Sequence, residues 1–272
     1  MTLEEVNYMI QLIINDTQVA VAPGTTVLEA ARANGINIPT LCYLKAIRPN
    51  QACRLCVVEA EGPKMAKAVF SSCDLIAFDG LVIHTDSPRI LQLRRTIVEL
   101  LLAGMPDNQA VLALAEQYGI TERRFGVEKS DSCMLCGICI QACREKIGGS
   151  ALSFAVAGDE TSKVAEFVQL DRERCVGCGT CANLCPVGAI QVEDKGAVRE
   201  LSLYGVVVNT LELIACTSCG AHFTTAGVVD LLQARLAKDG LEVNAGYCPN
   251  CARAKNPAPA AAQPRMQTGE TA

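Results

Sequence analysis

Two short apolar runs, Met9 to Ile14 and Gln18 to Ala22, are joined by the polar Asn15-Asp16-Thr17, which predicts a β-hairpin. Thr26-Val27-Leu28-Glu29 then has capping-box spacing and Asn34-Gly35 supplies a stop, so a short helix follows the two strands. Ser87-Pro88 opens a longer helical stretch in which Ile90, Leu93, Ile97, Leu100 and Leu101 recur at helical spacing. Another helix is predicted from about Asn108 to Tyr118, before Gly119. Farther on, Ala151 to Ala157 and Lys163 to Leu170 read as strands, and Val198 to Ile214 is strand-rich. Val228, Leu231, Leu232 and Leu236 then mark one amphipathic helix before Gly240. From Lys255 to Ala272 the periodicity gives way to Ala, Pro, Gln and Thr, a composition that predicts disorder.

At 272 residues and 50% hydrophobic content the chain has enough apolar material for two or three small packed domains. Its formal charge of -5 is mild and it holds no basic block with interleaved aromatics, which excludes nucleic acid as an expected partner. The most apolar stretches argue against direct membrane insertion: Ile97 to Gly104 is too short to span a bilayer, and Leu201 to Ala215 is broken by Asn209 and Glu212. Met1-Thr2-Leu3-Glu4-Glu5 carries acid where a secretory leader carries base, so the expectation is a soluble, cytoplasmic protein. There is neither a G-x-G-x-x-G after a strand nor a G-x-x-x-x-G-K-[ST], and no nucleophile-base constellation, so no catalytic residue is assigned. The acidic residues Glu4, Glu5, Asp159, Glu160, Glu193 and Asp194 read as solvated surface.

The cysteines change this picture. Sixteen of them in a cytosolic chain of this size point to metal rather than to disulfides. They fall into four sets of four with none left over: Cys42/Cys53/Cys56/Cys73, Cys133/Cys136/Cys139/Cys143, Cys175/Cys178/Cys181/Cys185 and Cys216/Cys219/Cys248/Cys251.

The second and third sets both have the spacing C-x2-C-x2-C-x3-C of bacterial ferredoxins, in which the fourth cysteine ligates the other cluster. One [4Fe-4S] cluster is then expected on Cys133, Cys136, Cys139 and Cys185, and a second on Cys175, Cys178, Cys181 and Cys143. A tight loop can supply three converging thiolates before the chain must move away, and Gly137, Gly177 and Gly179 leave the wrapping backbone unhindered. Two structural zinc sites are the plainer alternative. Cys143 is followed by Arg144 rather than proline, 31 residues separate the two runs, and Arg144 and Lys146 are candidates for positive charge near a cluster.

In the first set the gaps are ten, two and sixteen residues, against the C-x4-C-x2-C and distant fourth cysteine of plant-type [2Fe-2S] ferredoxins. With a strand-strand-helix start, Pro39-Thr40-Leu41-Cys42-Tyr43 and Cys53-Arg54-Leu55-Cys56-Val57-Val58-Glu59, the chain resembles the N-terminal part of the large iron-sulfur subunit of respiratory complex I. It equally resembles the diaphorase small subunit of NAD-reducing hydrogenases and the iron-sulfur region of NAD-linked formate dehydrogenases. The resemblance runs from about Met9 to Gly188. It implies a [2Fe-2S] cluster on Cys42, Cys53, Cys56 and Cys73, with zinc as the bland alternative. It also implies a neighbouring flavin-bearing NAD(P)H-oxidising subunit and a separate catalytic subunit. That family normally places a further cluster, held by one histidine and three cysteines, after a helix like Arg94 to Gly104. This chain reads Leu102-Ala103-Gly104-Met105-Pro106-Asp107 there and has no cysteine between Cys73 and Cys133.

Cys216-x2-Cys219-Gly220 and Cys248-x2-Cys251 are two knuckle-like turns 28 residues apart, suited to structural Zn2+ or to a further iron-sulfur cluster. His222 reads as a bystander beside four cysteines, and His84, in the apolar Leu81-Val82-Ile83 run, as structural. The expected fold class is α+β, with a β-grasp [2Fe-2S] domain over 1-86 and a helical connector over 87-126. An elaborated 2x[4Fe-4S] ferredoxin-like domain over 127-197, a four-cysteine zinc-ribbon-like domain over 198-254 and a tail over 255-272 complete it. The function implied is an electron-transfer subunit of a cytoplasmic NAD(P)H-linked complex, electron-bifurcating complexes included, whose far end is a hydrogenase, a formate dehydrogenase or a low-potential substrate reductase. A free soluble polyferredoxin and a zinc-dependent scaffold are the alternatives.

Overall fold

The computed structural model of the protein describes residues 8–126, 133–157, 164–241, 243 and 245–255. The chain divides into two compact units: Met1–Arg174, Gly179–Gln191 and Ser202–Val206 in the first, and Cys175–Cys178, Val192–Leu201 and Val207–Ala272 in the second.

The first unit begins with the expected hairpin. β1 (Ile10–Ile14) pairs antiparallel with β2 (Thr17–Val21), in register from Ile10↔Val21 to Ile14↔Thr17. The turn takes only Asn15 and Asp16, both at positive φ, as the right-handed twist of a two-residue hairpin requires. α1 (Val27–Ala33) starts at a complete capping box: the Thr26 hydroxyl accepts from the Glu29 amide, and the Glu29 carboxylate accepts from the Thr26 amide. β3 (Val57–Gly62), β4 (Met65–Ser71) and β5 (Leu81–His84) complete a five-stranded sheet of order β2-β1-β5-β3-β4, with β1 and β5 parallel. Val27, Leu28, Ala30 and Ala31 of α1 pack with Leu12, Ile14, Val58, Leu81 and Ile83 to form a first core, which also encloses Cys56 and Cys73.

α2 (Pro88–Gly104) is capped by Ser87, whose hydroxyl accepts from the Ile90 amide and donates to Glu59 on β3 at 2.6 Å. That bond, with Lys67 and Arg89 nearby, holds the Glu59 carboxyl below its ordinary value. The buried line of α2 differs from the sequence expectation. Ile90, Arg94, Val98, Glu99 and Leu102 are buried, whereas Leu100 is 53% exposed and Leu93 only half-buried. The helix is rotated towards Arg94 because its guanidinium finds two carbonyl partners on the neighbouring segment. α3 (Gln109–Gln117) follows, capped by Asn108, whose side-chain amide also donates to the Val187 carbonyl at 2.7 Å. Leu102 and Met105 lie in a second core with Cys42, Cys53, Leu55, Val98, Cys136, Ile138 and Val187.

Still in this unit, α4 (Ile138–Gln141) runs into a π-helical turn (Ala142–Ile147), and β6 (Leu152–Ala157) pairs antiparallel with β7 (Val164–Leu170) before α5 (Thr180–Leu184). β8 (Ile190–Lys195), β9 (Val198–Leu203), β10 (Val206–Ala215) and β11 (His222–Thr225) make a sheet of order β11-β10-β9-β8. The second unit ends with α6 (Ala226–Leu236), a 3-10 turn (Ala237–Asp239) and α7 (Pro249–Lys255). The amphipathic face expected on α6 is only partly covered: Val228, Leu231 and Leu236 are half-buried and Leu232 is exposed. Apart from Lys255, which closes α7, the tail expected to be disordered lies outside the described residues, as do Glu4, Glu5, Asp159 and Glu160. Among the described residues no helix is long and apolar enough to cross a membrane.

Because the Thr26 hydroxyl is the first acceptor of α1, Thr26→Ala should lower the unfolding free energy by about 1 kcal/mol, read as an earlier midpoint in denaturant titration.

Candidate metal-binding sites

The first four cysteines sit where the two cores of the first unit meet. Cys42 and Cys53 belong to the second core and Cys56 and Cys73 to the first, and none is more than 4% exposed. Their sulfurs form two pairs, Cys42 with Cys53 and Cys56 with Cys73, each at 3.3 Å. Gln51 and Arg54 both take positive φ, bending the backbone around Cys53, whose amide donates to the Cys42 sulfur at 3.3 Å. Within each pair the two thiols are pushed in opposite directions. The Cys42 hydrogen bond holds the Cys53 thiol down to about 6, while Cys42, bonded to Cys53 and buried, is pushed well up. Cys56 is held down to about 7 by its bond with Cys73, and Cys73 is raised in turn, by Cys56 first and also by Cys42 and Cys53. Four sulfurs that influence one another in this way form a single centre whose thiol protons a bound cation would displace.

A second centre forms around α4. Cys133, Cys136, Cys139 and Cys185 line one small apolar cavity together with Val168 and Tyr204. Gly137, at φ +73, turns the chain between Cys136 and Cys139, and the amides of Leu135 and Ala189 donate to the sulfurs of Cys133 and Cys185 at 3.4 and 3.2 Å. Burial pushes the Cys136 thiol up to about 11 and Cys139 to about 12, with the neighbouring cysteines adding to both. Asn50 ties this loop to the first centre: its side-chain amide donates to the Cys136 carbonyl at 2.9 Å and its oxygen accepts from Gln141. Tyr204 closes another side of the cavity, its hydroxyl accepting from the Val168 amide at 2.6 Å, and burial raises it to about 12.

Of the other expected set, Cys143 lies in the π-helical turn, where the Ala151 amide donates to its sulfur at 3.3 Å, and Cys181 lies in the first turn of α5. Cys175 and Cys178 lie on the Cys175–Cys178 segment of the second unit. Between them Gly177, at φ +71, has no room for a side chain, since a Cβ there would stand 2.6 Å from Leu211 and 2.9 Å from Thr225. Arg199 donates to the Gly177 carbonyl at 2.9 Å while paired with Asp194, so it brings a cation beside that loop. Asp194 is thus an ion-pair partner rather than simple surface. Arg144 is exposed and pairs with Glu145 at 2.9 Å.

The last four cysteines converge within the second unit. Their sulfurs all lie within 4.8 Å of one another, with Cys219 and Cys248 at 3.8 Å. Thr217 fastens the two knuckles by donating its amide and its hydroxyl to the Gly246 carbonyl, both at 2.8 Å. The amides of Cys248 and Cys219 hold the Cys216 thiol down to about 6, and hydrogen bonds to Cys219 and Cys248 raise Cys251 to about 12. His222 is exposed at the start of β11 and outside this group of ligand atoms, and His84 lies 3.8 Å from Glu61. Among the described residues no cysteine is joined in a disulfide.

The cysteines were marked by their spacing, but Asn50, Tyr204, Arg94 and Arg199 were not, because their partners are mostly backbone carbonyls and amides far away in the sequence.

Comparison with known proteins agrees with this chemistry. The family described as a 2Fe-2S iron-sulfur cluster binding domain matches residues 7–88, and the 4Fe-4S binding domain family matches residues 168–191. This is an iron-sulfur protein. Its relatives are subunits of NAD(P)-linked oxidoreductases. The iron-sulfur protein is 32% identical over 208 residues to an NADH-quinone oxidoreductase subunit of Rhizobium meliloti, aligning 67% of its own length with 24% of the relative's. It is 32% identical over 206 residues to the NADPH-Fe(3+) oxidoreductase subunit alpha of Geobacter sulfurreducens, with 67% and 24% covered. With NADP-reducing hydrogenase subunit HndD of Solidesulfovibrio fructosivorans it shares 34% identity over 212 residues, covering 67% and 36%. The chain thus spans between 24% and 36% of these relatives' length. Among solved structures, a chain of an NAD+-reducing [NiFe]-hydrogenase crystallised in the H2-reduced state superposes with a TM-score of 0.55 at 27% identity, covering 73% of this chain and 89% of that one.

A Cβ on Gly137 would stand 2.7 Å from the Asn50 side-chain nitrogen on a backbone at φ +73, so Gly137→Ala should destabilise the iron-sulfur protein by about 1–3 kcal/mol. Thermal unfolding together with iron content per chain reads the effect, and both should fall.

Proposed function

We propose that the chain is an electron-transfer subunit of a cytoplasmic, multisubunit NAD(P)H-linked oxidoreductase, relaying electrons between a flavin-bearing subunit and a separate catalytic centre. In this reading Cys42, Cys53, Cys56 and Cys73 hold a [2Fe-2S] cluster within a β-grasp domain. Cys133, Cys136, Cys139 and Cys185 hold one [4Fe-4S] cluster, and Cys175, Cys178, Cys181 and Cys143 hold the second, within an elaborated ferredoxin-like domain. Cys216, Cys219, Cys248 and Cys251 hold zinc.

The observation that carries the proposal is the second core, in which Cys42 and Cys53 share one apolar cluster with Cys133, Cys136 and Cys185. Such a core keeps water away from two thiolate sets at once, and Asn50 adds a direct hydrogen-bonded link between their loops. When bound, the clusters supply one-electron transfer in which no bond to a substrate forms or breaks. The residues around them exclude water, aim amides at sulfur and fix the separation of the two loops. Leu102 and Met105, buried where the resembling family places its histidine-cysteine cluster, extend the same apolar medium.

The arrangement of the sulfurs supports the choice of group in the first and last sets. The pairing of Cys42 with Cys53 and of Cys56 with Cys73 suits two irons carrying two thiolates each. In the last set, zinc-sulfur bonds of about 2.3 Å in a tetrahedron put sulfurs about 3.8 Å apart, which is the Cys219–Cys248 separation. A cubane, with one thiolate on each of four outward corners, spreads its cysteines much wider. The second centre has backbone amides at its sulfurs, as a reducible cluster needs.

Metal analysis should find about ten irons per chain and one zinc, and low-temperature EPR after dithionite reduction should show one [2Fe-2S] and two [4Fe-4S] signals. Four zincs without a reducible signal would instead leave a structural scaffold. Cys251→Ser should lose the zinc while the iron count stays unchanged. Co-purification of the tagged chain with a flavoprotein separates the subunit from a free polyferredoxin, which would be recovered alone.

A further inference from the structure

Arg94 occupies a position in which a charged side chain is rarely found. It is 3% exposed, on the face of α2 that also buries Ile90 and Val98, both at 0%. Its Nε donates to the Leu55 carbonyl at 3.0 Å and its Nη2 to the Val57 carbonyl at 2.6 Å. These are the two carbonyls on either side of Cys56, itself 1% exposed. Among the described residues no carboxylate lies within 4.0 Å of the guanidinium, although the surface arginines Arg89, Arg95 and Arg124 all have one.

A guanidinium keeps its charge under every accessible condition, and removing a cation from water is costly unless an anion or a full set of acceptors receives it. Two neutral carbonyls fill part of the fork. A cluster bound to the neighbouring cysteines would supply the anionic partner. Four thiolates, two ferric ions and two sulfides sum to a dianion, and adding one electron makes a trianion. Acquiring that extra charge in an apolar core is opposed by the surroundings, and a fixed cation beside one ligand offsets the opposition. Burial disfavours the charge on Arg94, and Tyr118, the Cys56 thiol and Asp86 each act the other way.

We propose that Arg94 is the internal counter-ion of the cluster held by Cys42, Cys53, Cys56 and Cys73 and raises its midpoint potential. The proposal rests on the assignment of a [2Fe-2S] cluster to those cysteines. The step it governs is the gain of one electron by the cluster with no accompanying proton, because Arg94 already carries its charge and neither binds nor releases a proton. It follows that Arg94 acts through the energy of the reduced form, not through ligation, and that the [4Fe-4S] potentials are insensitive to it.

The test is EPR-monitored redox titration of the purified full-length protein and of Arg94→Gln and Arg94→Lys variants, with thermal unfolding recorded in parallel. Arg94→Gln should shift the [2Fe-2S] midpoint to more negative potential while the [4Fe-4S] midpoints stay in place. Arg94→Lys, which keeps the charge but not the two-pronged hydrogen bond, should restore most of the shift even though its melting temperature falls. A [2Fe-2S] signal at the wild-type midpoint in Arg94→Gln would overturn the proposal and leave Arg94 as a brace between α2 and the Leu55–Val57 segment. Should Arg94→Gln fail to fold, Arg94→Met, which keeps the apolar body of the side chain but not its charge, takes its place: a negative shift supports the counter-ion, and an unchanged midpoint overturns it. Absence of any [2Fe-2S] signal from the wild-type protein would instead overturn the cluster assignment on which the proposal stands.

Discussion

Thiolates brought together repel, and burial sharpens the repulsion because the charged form loses its water. Everything around the first centre answers that constraint. Cys42, Cys53, Cys56 and Cys73 stand in two close pairs inside the protein, the thiols of each pair hydrogen-bonded to one another. Such a constellation has little reason to persist in a packed core unless metal takes the place of the thiol protons. The amide of Cys53, donated to the Cys42 sulfur, and the buried cation of Arg94 both act against that electrostatic cost.

The same constraint explains how the first unit is assembled. The five-stranded sheet and α1 form one core ending at Cys56 and Cys73, and α2 with α3 forms another that begins at Cys42 and Cys53 and reaches Cys136 and Val187. The centre is therefore a seam between two cores rather than an appendage of one. Asn108 fastens α3 to the Val187 carbonyl and Asn50 fastens the first loop to the second, so the two cysteine loops are held to each other by hydrogen bonds as well as by apolar contact. Rigidity of this kind suits electron transfer, in which a constant separation between centres matters more than movement.

Much of this was legible in the sequence where the signal is local. The Asn15-Asp16 hairpin, the Thr26–Glu29 capping box and the Ser87-Pro88 start involve residues within a few positions of one another, and each appears in the structure. Cysteine spacing was equally legible, because a loop that wraps metal must repeat its ligands at short intervals. The buried face of α2 was not. Periodicity favoured Leu93 and Leu100, whereas Arg94 fills the core position, since a guanidinium can be buried once carbonyls 39 and 37 residues away receive it. Asn50 and Gln141, 91 residues apart, likewise carry no pattern that a sequence reveals before the fold joins them.

We infer that these thiolate sets hold clusters of two sizes in one chain and a mononuclear metal in addition. Mössbauer spectroscopy of protein enriched in 57Fe, as purified and after reduction, tests it most directly. The spectra should contain [2Fe-2S] and [4Fe-4S] iron in areas of about one to four, with no component from iron bound singly by four cysteines. Spectra containing only one class of iron, or iron mainly in mononuclear form, would contradict it.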